Sequence, residues 1–214
     1  MRRSRLAASA CYLVEGRVGK RTGGGSLANL QIVETSIPGV VAIEPSVFAD
    51  HRGIFMELFN AGRYAAAGIP APLVQDNFSR STRGVLRGLH LQNPRQQGKL
   101  VTALRGTVLD VAVDARLGSP SFGQHVKMQL SEDSRRQLWV PRGFAHGFLV
   151  VSEVAEVFYK CDELYSPADE MVLRFDDPDL GIDWGIGAPI VSERDRNGSL
   201  LSELKQRLPV YAGP

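Results

Sequence analysis

From Gly84 to Pro178 the chain breaks into short runs, each closed by turn residues: GVLRGLHLQ, KLVTALRG, TVLDVAVDAR, GQHVKMQLS, RQLWVPRG, HGFLVVS, AEVFYKCDELY and EMVLRFDDP. Short β-rich runs at regular spacing, with almost no helical periodicity, restrict the chain to an all-β sandwich or barrel. TVLDVAVDAR shows how one such strand works. Leu109, Val111 and Val113 face one side while Asp110 and Asp114 face the other, and both aspartates are read as structural. KLVTALRG and TVLDVAVDAR read as a hairpin across Arg105-Gly106. Upstream, GVVAIEPSVF, the turn DHRG and IFMELF lead into NAGRYAAAG, a short helix ended by Gly68 and Pro70. An amphipathic helix is expected to close the chain, with Leu200, Leu201, Leu204 and Leu208 on one stripe.

The chain has 214 residues, enough for one sizeable domain. Ordered structure is expected from about Leu30, after the glycine-rich TGGGS, so residues 30–214 form a single domain. Residues 1–29 hold Arg2, Arg3, Arg5 and a short apolar stretch, Leu6 to Val14, with ASA as a cleavage site, which resembles a weak signal peptide. The stretch is short, cut by Ser9 and followed by basic residues, so the favoured reading is a disordered extension or an upstream start. No run approaches the roughly 20 apolar residues that span a bilayer. A net charge of +2, from 25 basic and 23 acidic residues, gives no field for nucleic acid. Cys11 and Cys161 lie in unrelated contexts, which points to a reduced, cytoplasmic protein.

His90 stands in a strand-like run, RGLHLQ, and three readings are open for it: a satisfied core histidine, a metal ligand or a base. Plain alternation sends Leu86, Gly88, His90 and Gln92 to one face, where the small Gly88 leaves room for an approaching molecule. A double-stranded β-helix of the cupin type commonly holds metal through H-x-H and a downstream acid. Here Gln92 stands at the second position and NPRQQGKL contains no acid, so the set is incomplete and no metal is expected. PRGFAHGF supplies Pro141, Gly143 and a second histidine, His146. Two histidines without a complete metal set suit acid/base work.

Several motifs agree in order and spacing. VQDNFSRSTRGVLRGLHLQNPRQQGKLV and LWVPRGFAHGFLVVSEVAEVFYKCDELYSP, with DHRGIFMELF before and DDPDLGIDW after, resemble the dTDP-4-dehydrorhamnose 3,5-epimerase family from about Ile37 to Leu208. The resemblance implies a double-stranded β-helix, a cupin-type jelly roll with short peripheral helices. It implies epimerisation of dTDP-4-dehydro-6-deoxy-D-glucose at C3 and C5 to dTDP-4-dehydro-L-rhamnose, with no cofactor. Both carbons flank a ketone, so their protons are weakly acidic. Inversion needs a base on one face, an acid on the other and a donor to the enolate oxygen.

In this resemblance His90 is the base, and a free imidazole titrates at about pH 6.5. Asp195, in VSERDR, is its carboxylate partner and Tyr159 the opposite-face acid. Lys99 is the cation at the ketone oxygen, with His146 assisting; a positioned donor of this kind is worth roughly 3–4 kcal/mol. Gln75, Asp76 and Asn77 match the family's QDN, Arg87 its diphosphate-contacting arginine and Tyr165 an aromatic that stacks on thymine. Glu170 and Arg194 match two further substrate contacts, the second normally a lysine. Arg52 and Glu57 match residues that reach a neighbouring subunit's nucleotide through an exchanged N-terminal strand, which implies a homodimer. Alternation sets Arg87 and His90 on opposite faces, so both meet one ligand only across a bulge, which Gly88 permits. The competing functions are a single-site 3- or 5-epimerase or ketoisomerase, a non-catalytic nucleotide-sugar-binding jelly roll, and a metal-dependent cupin oxygenase.

Overall fold

The structure, a computed structural model, describes residues 30–70 and 72–213; the expectation for residues 1–29 lies outside this range. In chain order the elements are β1 (Gln31–Glu34), β2 (Val41–Glu44), β3 (Val47–Asp50), β4 (Gly53–Met56), α1 (Ala61–Ala66), β5 (Gln75–Thr82), β6 (Leu86–Gln92), β7 (Lys99–Arg105), β8 (Thr107–Asp114), β9 (His125–Ser131), β10 (Gln137–Val140), β11 (Phe144–Val150), β12 (Val154–Cys161), β13 (Glu170–Val172), α2 (Glu193–Arg196) and α3 (Leu201–Leu204). One antiparallel sheet has the order β1-β2-β10-β7-β12-β5, and the other β13-β6-β11-β8-β9. The two close face to face as the expected jelly roll, and β3–β4 forms a separate hairpin.

Three apolar clusters hold this arrangement. Val101, Ala103, Leu138, Val140 and Val157 of the six-stranded sheet meet Val108, Ala112, Val126, Leu130, Phe144 and Phe148 of the five-stranded sheet. The outer face of the five-stranded sheet is covered as well. Leu86, Leu89, Leu91, Val111, Val113 and Leu149 pack under Leu180, Trp184, Leu201, Leu204 and Leu208 from the C-terminal segment. β8 is therefore buried on both faces, which is why its polar Asp110 and Asp114 have no exposure at all. Outside the six-stranded sheet, Tyr64 and Ile69 of the α1 region cover Ile43, Leu100 and Trp139.

Two elements differ from the sequence expectation. β7 and β8 do not form a hairpin: β7 pairs with β10 and β12, whereas β8 pairs with β9 and β11. Arg105-Gly106 is the corner where the chain leaves one sheet for the other, and alternating apolar runs look the same in either case. The corner needs glycine. Gly106 has φ +69°, and a Cβ there would lie 2.0 Å from the Val154 carbonyl oxygen. The closing helix is only one turn, α3. Leu200 precedes it in an extended conformation, its N–H bound to the Glu203 carboxylate at 2.9 Å, and Pro209 follows. The stripe is still buried at Leu201, Leu204 and Leu208, while Leu200 is half-buried.

A Gly106→Ala variant is expected to lose about 2 kcal/mol or more of stability through backbone strain and collision. Urea unfolding checks this, and an unchanged midpoint with an unchanged slope contradicts it.

Candidate active site

β6 is where the fold aims its chemistry. Its pairing with β11 slips: Arg87 is opposite Phe148 while His90 is opposite His146, so three steps on β6 match two on β11. Gly88 carries the bulge at φ +118°, and a Cβ there would lie 2.6 Å from Gly147 Cα. Gly147 answers it, since its own Cβ would lie 2.6 Å from the Arg87 carbonyl oxygen. Two facing glycines thus let the strands close on the irregularity. The consequence reverses part of the alternation. Leu86 joins Leu89 and Leu91 on the outer face, and Arg87 joins His90 on the inner one.

The His90 ring bonds through Nε2 to Asp195 Oδ1 at 2.7 Å. Asp195 is placed by the short α2 turn, whose capping Ser192 Oγ accepts from the Asp195 N–H at 3.0 Å. Its second oxygen accepts from the Gly88 N–H at 3.3 Å, which ties the carboxylate to the bulge itself. Burial opposes ionisation of Asp195, but the bonds from His90 and Gly88 together with Ser192 outweigh it and hold the carboxyl below its usual range. An ionised Asp195 fixes the proton on Nε2, leaving the Nδ1 lone pair as the basic position.

His146, beside His90 on β11, is buried and bonds through Nε2 to both oxygens of Asp110, at 2.9 and 3.0 Å. Asp110 was read as structural from the sequence, yet it faces the same cavity. The signal was present: alternation set it opposite the apolar Leu109, Val111 and Val113, and an aspartate buried inside a β-sandwich requires a partner. Asp114 does serve the fold, binding Arg116, Ser119 and Ser121 at a turn.

The facing sheet supplies the remaining groups. Tyr159 on β12 packs against the inter-sheet core, its ring centroid 6.5 Å from that of His146. Burial raises the phenol pKa, helped by Cys161 and Glu170 and opposed by Arg87, so the hydroxyl keeps its proton at neutral pH. Lys99 lies across from Cys161 in the ladder and donates from Nζ to the His90 carbonyl oxygen at 3.2 Å, spanning the two sheets. It is buried and, among the described residues, has no ion pair. Burial therefore lowers its pKa, although Cys161, Glu170 and Asp110 each oppose the shift. Burial pushes the Cys161 thiol up to about 11, so it is neutral beside the ammonium.

The rim is polar. Tyr165 donates its hydroxyl to Glu170 Oε2 at 2.7 Å, and the other Glu170 oxygen holds Arg194. Gln75 accepts from the Tyr165 N–H at 2.7 Å and donates to Asn77 at 3.1 Å. Arg87 donates from Nε to Ser81 Oγ at 3.1 Å. Gln92, at the position a second ligand histidine occupies in metal-binding relatives of the fold, uses its amide to tie Arg95, Leu164 and Ser166 together.

Three expected binding residues lie elsewhere in the single chain. Asp76 points out of the opposite face of β5, bound to Lys160 at 2.6 Å, because it alternates with Gln75 and Asn77. Glu57 is bound to Arg63 and Asn60 at the start of α1. Arg52 sits exposed at the β3–β4 turn, paired with Asp50 at 2.6 Å.

A family model described as dTDP-4-dehydrorhamnose 3,5-epimerase matches residues 34–203. The chain belongs to that family. A dTDP-4-dehydrorhamnose 3,5-epimerase of Pseudomonas aeruginosa is 49% identical over 176 residues, covering 81% of this chain and 97% of that protein. A dTDP-4-dehydrorhamnose 3-epimerase of Streptomyces niveus is 42% identical over 180 residues, covering 82% and 87%. The crystal structure of a 3,5-epimerase from Legionella pneumophila in complex with dTDP-4-keto-L-rhamnose has a TM-score of 0.84 and 48% identity. It covers 86% of this chain and 100% of its own. The protein is accordingly an isomerase of the epimerase type with a cupin jelly-roll fold. Among the described residues no helix is long and apolar enough to cross a membrane.

In this epimerase the buried Lys99 is a cost to the fold. A base with a depressed native pKa binds fewer protons folded than unfolded, so its burden on stability lessens as pH rises from that depressed value towards the ordinary lysine range. A Lys99→Met variant is expected to melt at a higher temperature than the parent at pH 7 and to lose the alkaline rise. A lower melting temperature contradicts this account of the ammonium.

Proposed function

We propose that the cavity epimerises dTDP-4-dehydro-6-deoxy-D-glucose at C3 and C5 to dTDP-4-dehydro-L-rhamnose, with His90 as base and Tyr159 as acid. The observation that carries the assignment is the opposition of the two groups: a carboxylate-held imidazole on β6 and a protonated phenol on β12, in facing sheets of one cavity. His90 Nδ1 takes the proton from a carbon next to the C4 ketone, and the bond electrons move into the enolate. Asp195 stabilises the imidazolium that forms. Lys99, with the Asp110-held His146, offsets the negative charge growing on the C4 oxygen. Tyr159 returns a proton from the opposite side, which inverts the carbon; solvent then takes the proton from the His90 imidazolium and reprotonates the Tyr159 phenolate, and the cycle repeats at the second carbon. No electron transfer enters this sequence. The rim of Tyr165, Glu170, Arg194, Gln75 and Asn77 receives the nucleotide end, and Arg87 the diphosphate.

Incubation with substrate in heavy water, followed by NMR, tests this directly. Deuterium is expected at both C3 and C5. Wash-in at one carbon favours a single-site enzyme, the activity named for the Streptomyces niveus relative. Tight dTDP binding with no wash-in favours a binding protein. A His90→Ala variant is expected to lose at least 1,000-fold in turnover, the upper part of the range for a positioned base, while keeping its affinity for dTDP.

The active form is proposed to be a homodimer in which the β3–β4 hairpin crosses to the neighbouring subunit. The hairpin stands away from both sheets and exposes Val47, Phe48, Ile54 and Phe55, the last at 71%. Phe78 is likewise exposed, at 60%, on the outer face of β5. Arg52 at the tip would then reach the partner's nucleotide, and Asp76 and Glu57 lie on the side that a partner covers. The cytoplasm is the proposed compartment, in keeping with the free, buried thiol of Cys161. Sedimentation of the parent is expected to give a dimer and of Phe55→Asp a monomer with weakened dTDP binding; a fully active monomeric parent rules the crossing out.

A further inference from the structure

Tyr165 is exposed at the rim, and the backbone on either side of it is gripped by one buried amide. That amide belongs to Gln92, the last residue of β6, which is only 4% exposed. Its Nε2 donates to the Leu164 carbonyl oxygen at 3.3 Å, and its Oε1 accepts from the Ser166 N–H at 2.8 Å, so the two bonds straddle Tyr165. The second amide hydrogen goes to the Arg95 carbonyl oxygen at 2.8 Å. Glutamine suits this place because one end of its amide accepts and the other carries two donors. The Tyr165 N–H between the two bonds is taken by Gln75 of β5, in the facing sheet, at 2.7 Å. Tyr165 is therefore held by one glutamine from each sheet. Gln75 belongs to the rim. Gln92 is buried two residues past His90, and the function proposed above gives it no part.

We propose that Gln92 is a positioning residue, which fixes the Leu164–Ser166 turn so that the Tyr165 ring is set for the nucleobase before substrate arrives. This rests on the reading of the Tyr165 rim as the place that receives the nucleotide end. Leu164, Tyr165 and Ser166 lie between β12 and β13 and belong to no strand or helix, so no ladder holds them. Gln97 reaches the Glu163 carbonyl oxygen at 2.7 Å and Arg95 the Asp169 carboxylate at 2.5 Å, which pins the ends of the segment. Between those ends, the bonds next to the tyrosine come from Gln92 and Gln75. Removing the Gln92 amide leaves a carbonyl and an N–H without partners, and the turn must rearrange to satisfy them. A ring whose orientation is no longer fixed has to be ordered when the base binds, and that cost falls on affinity. Because β6 also carries His90, one strand places both the base and the aromatic.

Calorimetry with dTDP on the parent, Tyr165→Ala, Gln92→Met and the double variant tests this as a cycle. Tyr165→Ala is expected to weaken dTDP binding on the order of 10-fold, the scale of one base–aromatic stack. Gln92→Met fills the same length without a hydrogen bond. It is expected to lose most of that factor in the parent but less than about 2-fold in the Tyr165→Ala background, because it acts through the ring. The KM for the nucleotide sugar is expected to rise by more than kcat falls. Gln92→Asn, one methylene short of the turn, is expected to show the same non-additivity and serves if Gln92→Met does not fold. An equal loss in both backgrounds marks a general structural role and overturns the inference. Undiminished dTDP affinity in Gln92→Met, or a fall in kcat with KM unchanged, overturns it as well. Undiminished affinity in Tyr165→Ala overturns the reading of the rim, and the inference with it, which separates the two failures.

Discussion

The close approach of β6 and β11 at Gly88 and Gly147 sets the geometry on which the site depends. A regular strand would send Arg87 and His90 to opposite sides of the sheet. The slip in register sends both inward and turns Leu86 towards the outer core with Leu89 and Leu91. The same bulge offers the Gly88 N–H to Asp195. One local irregularity therefore orients His90, brings it to the same face as Arg87 and anchors the Asp195 carboxylate bonded to its ring. Neither glycine tolerates a side chain, because each added Cβ would run into the other strand's backbone.

The C-terminal segment has two roles that the sheet alone cannot fill. Its Leu180, Trp184, Leu201, Leu204 and Leu208 cover the outer face of the five-stranded sheet. On the way it supplies α2, a single turn capped by Ser192, which inserts Asp195 beside His90. Parallel bridges from Ile190 to Val85 and from Ser199 to Leu173 hold the segment on either side of that turn. The position of the carboxylate thus depends on the packing of an apolar cover, so the last part of the chain links the packing of the outer core to the placement of Asp195.

Much of this was legible in the sequence, for physical reasons that differ by residue. Short alternating runs and turn residues revealed the jelly roll, because a period of two leaves few other architectures. The matched motifs pointed to His90, Asp195, Tyr159, Lys99 and His146, and the structure brings these five together: Asp195 and Lys99 bond to His90, His146 stands opposite it and Tyr159 lies beside His146. The need for a bulge was legible too, since two expected ligand contacts stood on opposite faces beside a glycine. Strand pairing was not legible. Arg105-Gly106 reads equally as a hairpin or as a corner between sheets, and only long-range partners decide between them. The partner of Asp110 was not legible: it bonds to His146 on the inner face, and alternation alone does not tell the inner face from the outer in a strand buried on both. Asp76 was carried along with Gln75 and Asn77 as part of one motif, although adjacent residues of a strand cannot share a face.

The cavity is costly to the fold in a way that its chemistry explains. Among the described residues Lys99 has one carbonyl bond and no ion pair, and Tyr159 is held protonated by burial. The two histidines are the contrast: each is already held by a carboxylate, His90 by Asp195 and His146 by Asp110. Those pairs fix ring orientation before substrate arrives. The apolar packing on both faces of the five-stranded sheet offsets the cost of burying Lys99 and Tyr159.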